Sequence, residues 1–213
     1  MQNFFGLTNT KEKNHYFIGN IFDDEILIRT LRYVQKKIKN KYSLKNYHTN
    51  NKFFSNLIYL GYLDNETVNL YMSNILNPLL NSLSSKIETL QCNFTGYKLE
   101  NDKSFYKISL KFEDKDNYLE KIIIPYLHQN AITPFYEKKN MLKPAIDLIY
   151  YKESYKIKDK NSIKIEVPKN NFTVDHISLI KGTLVKARTG TPSTHDQMTL
   201  EEVSRYKFPL KHF

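Results

Sequence analysis

The stretch Phe172-Thr173-Val174-Asp175-His176-Ile177-Ser178-Leu179-Ile180 decides how this 213-residue chain is read. Its β-branched and aromatic residues predict a core strand. Side chains two apart in a strand share a face, so His176 and Ser178 point the same way. An imidazole beside a hydroxyl on a rigid strand is half of a phosphate-handling site. The other half has to come from elsewhere in the chain.

Hydrophobic residues make up 40% and aromatics 14%, which marks a folded chain with a substantial core. No apolar run reaches the ~20 residues that cross a bilayer. The start, Met1-Gln2-Asn3-Phe4-Phe5-Gly6, lacks the basic and long apolar stretches of a signal peptide. Cys92 is the single cysteine, so no intramolecular disulfide forms, and a reducing, intracellular and cytoplasmic setting is expected. A net charge of +10 attracts polyanions such as RNA, nucleotides or anionic membrane surfaces. No Gly-rich phosphate loop, dinucleotide fingerprint or nucleophile elbow occurs. One cysteine excludes cysteine-rich zinc sites and no histidine pair has ligand spacing, so neither metal nor cofactor is expected.

Working outward, residues 1–13 read as a tether and His15 to Phe22 as a first core strand. Asp23 and Asp24 offer an N-cap, and Leu27, Leu31, Val34 and Ile38 follow helical spacing, which predicts a helix over 24–40. Its other face is basic: Arg29, Arg32, Lys36, Lys37 and Lys39. Residues 41–52 read as a loop, and Phe53 to Leu60 as a second strong strand stopped by Gly61. Asp64 caps the next helix, which Pro78 kinks or ends. Residues 87–99 and 104–113 form an antiparallel pair, followed by a helix over 115–129. Ala145 to Tyr151 and Ser162 to Val167 read as further strands. In the tail, Thr199-Leu200-Glu201-Glu202 has the pattern of a capping box for a short helix. The order predicts an α+β fold in one unit.

There is one internal echo. Phe54-Ser55-Asn56-Leu57-Ile58 and His176-Ile177-Ser178-Leu179-Ile180 each put a ring, then a small polar residue, on one strand face. Both end in Leu-Ile ahead of a glycine, Gly61 or Gly182. On these residues the chain resembles the 2H phosphoesterase superfamily, which includes the LigT-like RNA cyclic phosphodiesterases. That family carries two His-x-Thr/Ser motifs on central strands of two pseudo-symmetric lobes. The resemblance implies a two-lobed fold with antiparallel sheets around a central cleft, covering 14–182 with 133–170 as an insertion and 183–213 as a tail. It also implies that His176 and Ser178 are the surviving catalytic-type residues.

The first motif departs from the family: its histidine is Phe54 and its hydroxyl is Asn56. In the family one imidazole takes a proton and the other gives one. Phe54 does neither, whereas Asn56 still offers a hydrogen bond to phosphate. His48 and His15 are the candidates to replace the lost ring. The reading that follows is a degenerate module binding RNA or a nucleotide phosphate without turnover, as a subunit of a larger assembly. Its phosphate contacts would include Asn56, Lys181, Lys186 and Arg188. Two alternatives stand beside it. One is an active phosphodiesterase on 2′,3′-cyclic or 2′,5′-linked substrates, with a substitute for Phe54. The other is a structural interaction protein of a viral or organellar complex.

Overall fold

A computed structural model describes residues 13–44, 47–102, 105–130, 143–151, 163–185 and 197–209. The expected tether, the turn near 156–160, and Lys186 and Arg188 lie outside them. In chain order the elements are β1 (Lys13–Phe22), α1 (Glu25–Tyr42), β2 (Tyr47–His48), β3 (Phe53–Asp64), α2 (Asn65–Tyr71) and α3 (Asn77–Ser84). Then come β4 (Leu90–Asp102), β5 (Phe105–Asp114), α4 (Ile124–Asn130), β6 (Ala145–Tyr151), β7 (Asn171–Val174), β8 (His176–Val185) and β9 (Gln197–Lys207). The strands form one antiparallel sheet in the order β7-β4-β5-β6-β3-β1-β8-β9, with β2 beside β6. Its two halves meet where Ser55 of β3 pairs with Ile146 of β6. This is the expected α+β, two-lobed arrangement.

The stretch read as one strand is two. Phe172 and Val174 pair with β4 at one end of the sheet order, while His176 onward pairs with β1 and β9 near the other. Only Asp175 separates them, so the sheet curls until its distant strands meet. Phe22, Phe94, Phe112 and Phe172 interlock across that seam, with ring centroids 4.8–6.2 Å apart.

The N-terminal lobe's helix follows its sequence closely. Asp24 accepts the Leu27 N–H at 2.6 Å, and Ser43 closes the C-terminus in the left-handed region (φ 49°). Leu27, Leu31, Val34 and Ile38 are buried together with the helix-facing side chains of the sheet. Asp24→Ala removes one orphan-donor partner and is expected to cost about 1 kcal/mol in urea unfolding; an unchanged midpoint would contradict the cap.

Pro78 acts as the sequence predicts, through a π-turn. Residues Met72–Leu76 widen the helix, and the Asn77 N–H reaches back five residues to the Met72 carbonyl. The wider turn admits a ring that has no N–H and would clash with the carbonyl four residues earlier. Pro125 is preceded by the same device at Leu119–Ile123. No helix among the described residues is long and apolar enough to cross a membrane.

Several expectations need correction. The strand does not stop at Gly61: β3 runs on to Asp64, with Gly61 at φ 124° beside a register shift against β1. A glycine in that conformation bends a strand without ending it. Residues 163–170 form no strand. Their polar groups are met by side chains: the Ile163 carbonyl accepts from Tyr97, and the Lys164 backbone bonds Tyr42 and Lys41. The segment 133–170 is more than an insertion, because β6 within it links the two halves of the sheet. The tail likewise belongs to the fold. Thr199-Leu200-Glu201-Glu202 lies in β9, not in a helix, because β8 offers it a free edge to pair with. Tyr47 and His48, read as loop, form the short β2.

Candidate functional site

The register of three strands places both motif stretches around one glycine. Gly19 of β1 pairs with Asn56 on one side and with Ser178 on the other. Ile21 pairs with Phe54, and the β1–β8 register carried two residues further brings His176 to the same level. Strands lie ~4.8 Å apart, so Phe54-x-Asn56 and His176-x-Ser178 flank β1 at a separation of about 10 Å. The pseudo-symmetric echo is therefore spatial as well as sequential.

The chemistry on the two sides differs. Phe54 is buried and meets Phe17 edge-on, with centroids 5.8 Å apart. Ile21, Ile180 and Leu200 complete an apolar cluster around it, on the sheet face turned away from the helices. A phenyl ring there fills the apolar cluster and offers no group that takes or gives a proton. Asn56 is half-buried, and its Oδ1 has no hydrogen-bond partner among the described residues.

On the other side, His176 is 3% exposed and Ser178 is fully buried. His176 Nδ1 lies 2.6 Å from Asp175 Oδ1. A carboxylate only accepts, so Nδ1–H donates to Asp175, and Nε2 is the ring nitrogen that faces away from it. That nitrogen is buried, has no hydrogen-bond partner among the described residues, and lies 3.8 Å from Glu202 Oε1. Ser178 donates its hydroxyl to the same Glu202 oxygen. Arg205 Nε also donates to it at 2.9 Å, and Arg205 Nη1 reaches Asp23 at 2.7 Å. Glu202 thus sits where an anionic oxygen facing His176 and Ser178 would sit. Burial alone would raise its carboxyl; the hydrogen bonds from Arg205 and Ser178, with the Arg205 and His176 charges, outweigh burial and hold it below the usual carboxylate value.

Neither candidate replacement histidine enters this pair. His15 pairs with Gly182, four residues along β8 from Ser178, or about 13 Å at strand rise. It packs between Tyr59 and Tyr62 and shares a 2.8 Å hydrogen bond with the Tyr59 hydroxyl. His48 stacks flat on Tyr150, at 4.9 Å and 5°, on β2 beside β6. From β6, the strands β3 and β1 intervene before β8. His128 ends α4, and His195 and His212 lie outside the described residues. Lys181 is on β8, but residues one apart alternate, so it projects from the face opposite His176, Ser178 and Ile180.

Sequence reasoning missed Glu202 and Arg205, because the capping-box pattern hid a strand. It also missed a polar network beside Phe54. The Ser55–Ile146 register puts Asp147 at the level of Phe54. Asp147 accepts from Ser109 and Tyr150, both at 2.7 Å, and pairs with Lys107 at 3.4 Å. Burial, then the Asp147 charge, pushes the Tyr150 phenol well up, so it stays a neutral donor. No cluster of three or more metal-type side chains occurs among the described residues.

No family model and no curated protein matches the sequence. Solved structures do match in shape. E. coli LigT, crystallised with 3′-AMP, aligns over 92% of this chain and 99% of its own, with a TM-score of 0.63 at 11% identity. TT0787 of Thermus thermophilus aligns over 93% of this chain and 100% of its own, with a TM-score of 0.59 at 15% identity. Usb1 of Kluyveromyces marxianus aligns over 79% and 93%, with a TM-score of 0.51 at 7% identity. Across nearly its whole length, then, this chain has the fold of the LigT-like 2H phosphoesterases.

Proposed function

We propose that this chain is a degenerate 2H-fold protein that binds RNA or a nucleotide phosphate without cleaving it by the two-histidine route. The observation that carries the reading is the arrangement about Gly19, with His176-x-Ser178 on one side and Phe54-x-Asn56 on the other. General acid–base cleavage needs a second titrating group at the Phe54 position, typically worth ~10²–10⁴-fold in rate. A phenyl ring in an apolar cluster neither accepts nor gives a proton. The net charge of +10 and the 3′-AMP held by LigT support a phosphate-bearing ligand. Lys186 and Arg188 would add contacts, and the chain would work within a larger RNA–protein assembly.

One observation favours a second reading, a scaffold that holds no ligand at this place: the Glu202 carboxylate already satisfies Ser178 and Arg205. Both readings are tested together. Metal-free incubation with 2′,3′-cyclic phosphates, 2′,5′-linked oligonucleotides and RNA ends is expected to give no turnover. RNA retention is expected to fall with salt, with a log–log slope of about −0.7 per phosphate contacted. Turnover that His176→Ala abolishes would overturn the non-catalytic reading. Absence of RNA and nucleotide binding at every salt concentration would leave the scaffold.

A further inference from the structure

We infer that the groove between α1 and the segment Lys164–Asn170 is a binding site for single-stranded RNA, separate from the strands around Gly19. This rests on the polyanion-binding reading above and names where the strand is held. The groove encloses about 940 Å³ and is lined by Arg29, Tyr33, Lys37 and Lys41 from the helix, with Lys164 and Lys169 opposite. The four helix residues are spaced by four, which stacks them as one stripe in steps of about 6 Å. Three cations and one aromatic ring therefore run in a line along one wall, with two more lysines facing them.

Two features select a nucleic acid strand over other polyanions. Tyr33 is 58% exposed, large for an aromatic side chain, so it offers a ring surface on which a base can stack. The buried flanks of Val34 and Ile38 line the same groove and give a planar base an apolar floor. The cations beside it match the sugar–phosphate backbone. Lys37 lies 4.7 Å from the Tyr33 ring centre and 2.8 Å from Glu166. That ion pair is open to solvent, so it is weak and exchangeable. An incoming phosphate takes the place of the Glu166 carboxylate on Lys37. The groove belongs to the helix side of the sheet, whereas His176 and Ser178 project from the other face. A strand held on α1 therefore leaves the Glu202–Ser178 contact untouched.

Fluorescence anisotropy of a labelled oligouridylate, titrated with the full chain across a salt series, tests this. All the positions to be changed are on the surface, and unfolding curves verify that the variants stay folded. Tyr33→Ala is expected to weaken binding about tenfold, the loss of one stacked base. Lys37→Gln with Lys41→Gln is expected to reduce the salt slope by about 1.4, the loss of two phosphate contacts. Glu166→Gln is expected to strengthen binding severalfold by removing the competing carboxylate. If the unaltered chain binds RNA but these variants keep its affinity and slope, the groove is overturned while the functional reading stands. If the unaltered chain binds no RNA, the functional reading fails first. If a polyglutamate peptide competes at the groove and oligouridylate does not bind there, the ligand class is wrong.

Discussion

Gly19→Ala is expected to destabilise the protein by about 3 kcal/mol or more, at the upper end of what overpacking costs. A methyl group on Gly19 would sit 2.0 Å from the Ser55 carbonyl oxygen and 3.1 Å from its carbonyl carbon. Both are backbone atoms of β3, so no side-chain rotation relieves the clash and the strands must part. They would part where Ser55 also joins the two halves of the sheet through Ile146. Gly182 offers the contrast. A methyl there meets the sulfur of Met198 at 2.4 Å and the Phe17 ring at 3.0 Å, and at least the flexible Met198 can move. Gly182→Ala should therefore cost about 1 kcal/mol. Urea unfolding separates the two: the Gly19 variant loses midpoint with unchanged slope, which marks lost stability rather than a changed denatured state. A Gly19 variant within about 0.5 kcal/mol of the unaltered protein, the usual range of a neutral surface change, would show that the close approach of β1 and β3 is dispensable.

The same glycine shows how far the sequence could be read. Local signals located β1, α1, β3, the β4–β5 pair and β6: α1 buries one helical face, while β1, β3 and β6 are runs rich in β-branched and aromatic residues that are buried almost throughout. The echo between Phe54 and His176 was legible because pseudo-symmetric strands repeat the order of side chains. The place where the two motifs meet was not legible, since pairing on either side of Gly19 is long-range and leaves no local signal. Nor was the break at Asp175, where one apolar run serves two ends of a curled sheet. Glu202 was misplaced for a different reason. Thr199-Leu200-Glu201-Glu202 fits a capping box locally, but the free edge of β8 gives its backbone groups ladder partners that a short isolated helix would not have. The pairing of Glu202 with Ser178 and Arg205, which decides the chemistry at His176, depends entirely on that strand.

Removing Glu202 is expected to raise phosphate affinity on the His176 side. Glu202→Gln deletes the negative charge and keeps the shape; Glu202→Ala deletes both. A second anion about 4 Å from this carboxylate is repelled by roughly 4 kcal/mol at an effective dielectric near 20. The group is partly open to solvent, and screening reduces that to roughly 1–2 kcal/mol. Calorimetric titration with inorganic phosphate or 3′-AMP should therefore show about a tenfold gain for Glu202→Gln. The gain for Glu202→Ala should be larger, because the space facing His176 Nε2 and the Ser178 hydroxyl also opens and Arg205 is released from Glu202 Oε1. The variants should also change acid stability in a defined direction. The Glu202 carboxyl lies below its usual 4.5 in the folded chain, so its interactions stabilise the fold above that pH. That contribution fades as pH falls from about 4.5 through the lowered folded value. Glu202→Gln should lose stability at neutral pH and show a shallower decline across that acid window. Unchanged phosphate affinity in both variants, beside the expected change in acid stability, would mean that Glu202 serves only the fold and that the His176 side is closed to anions.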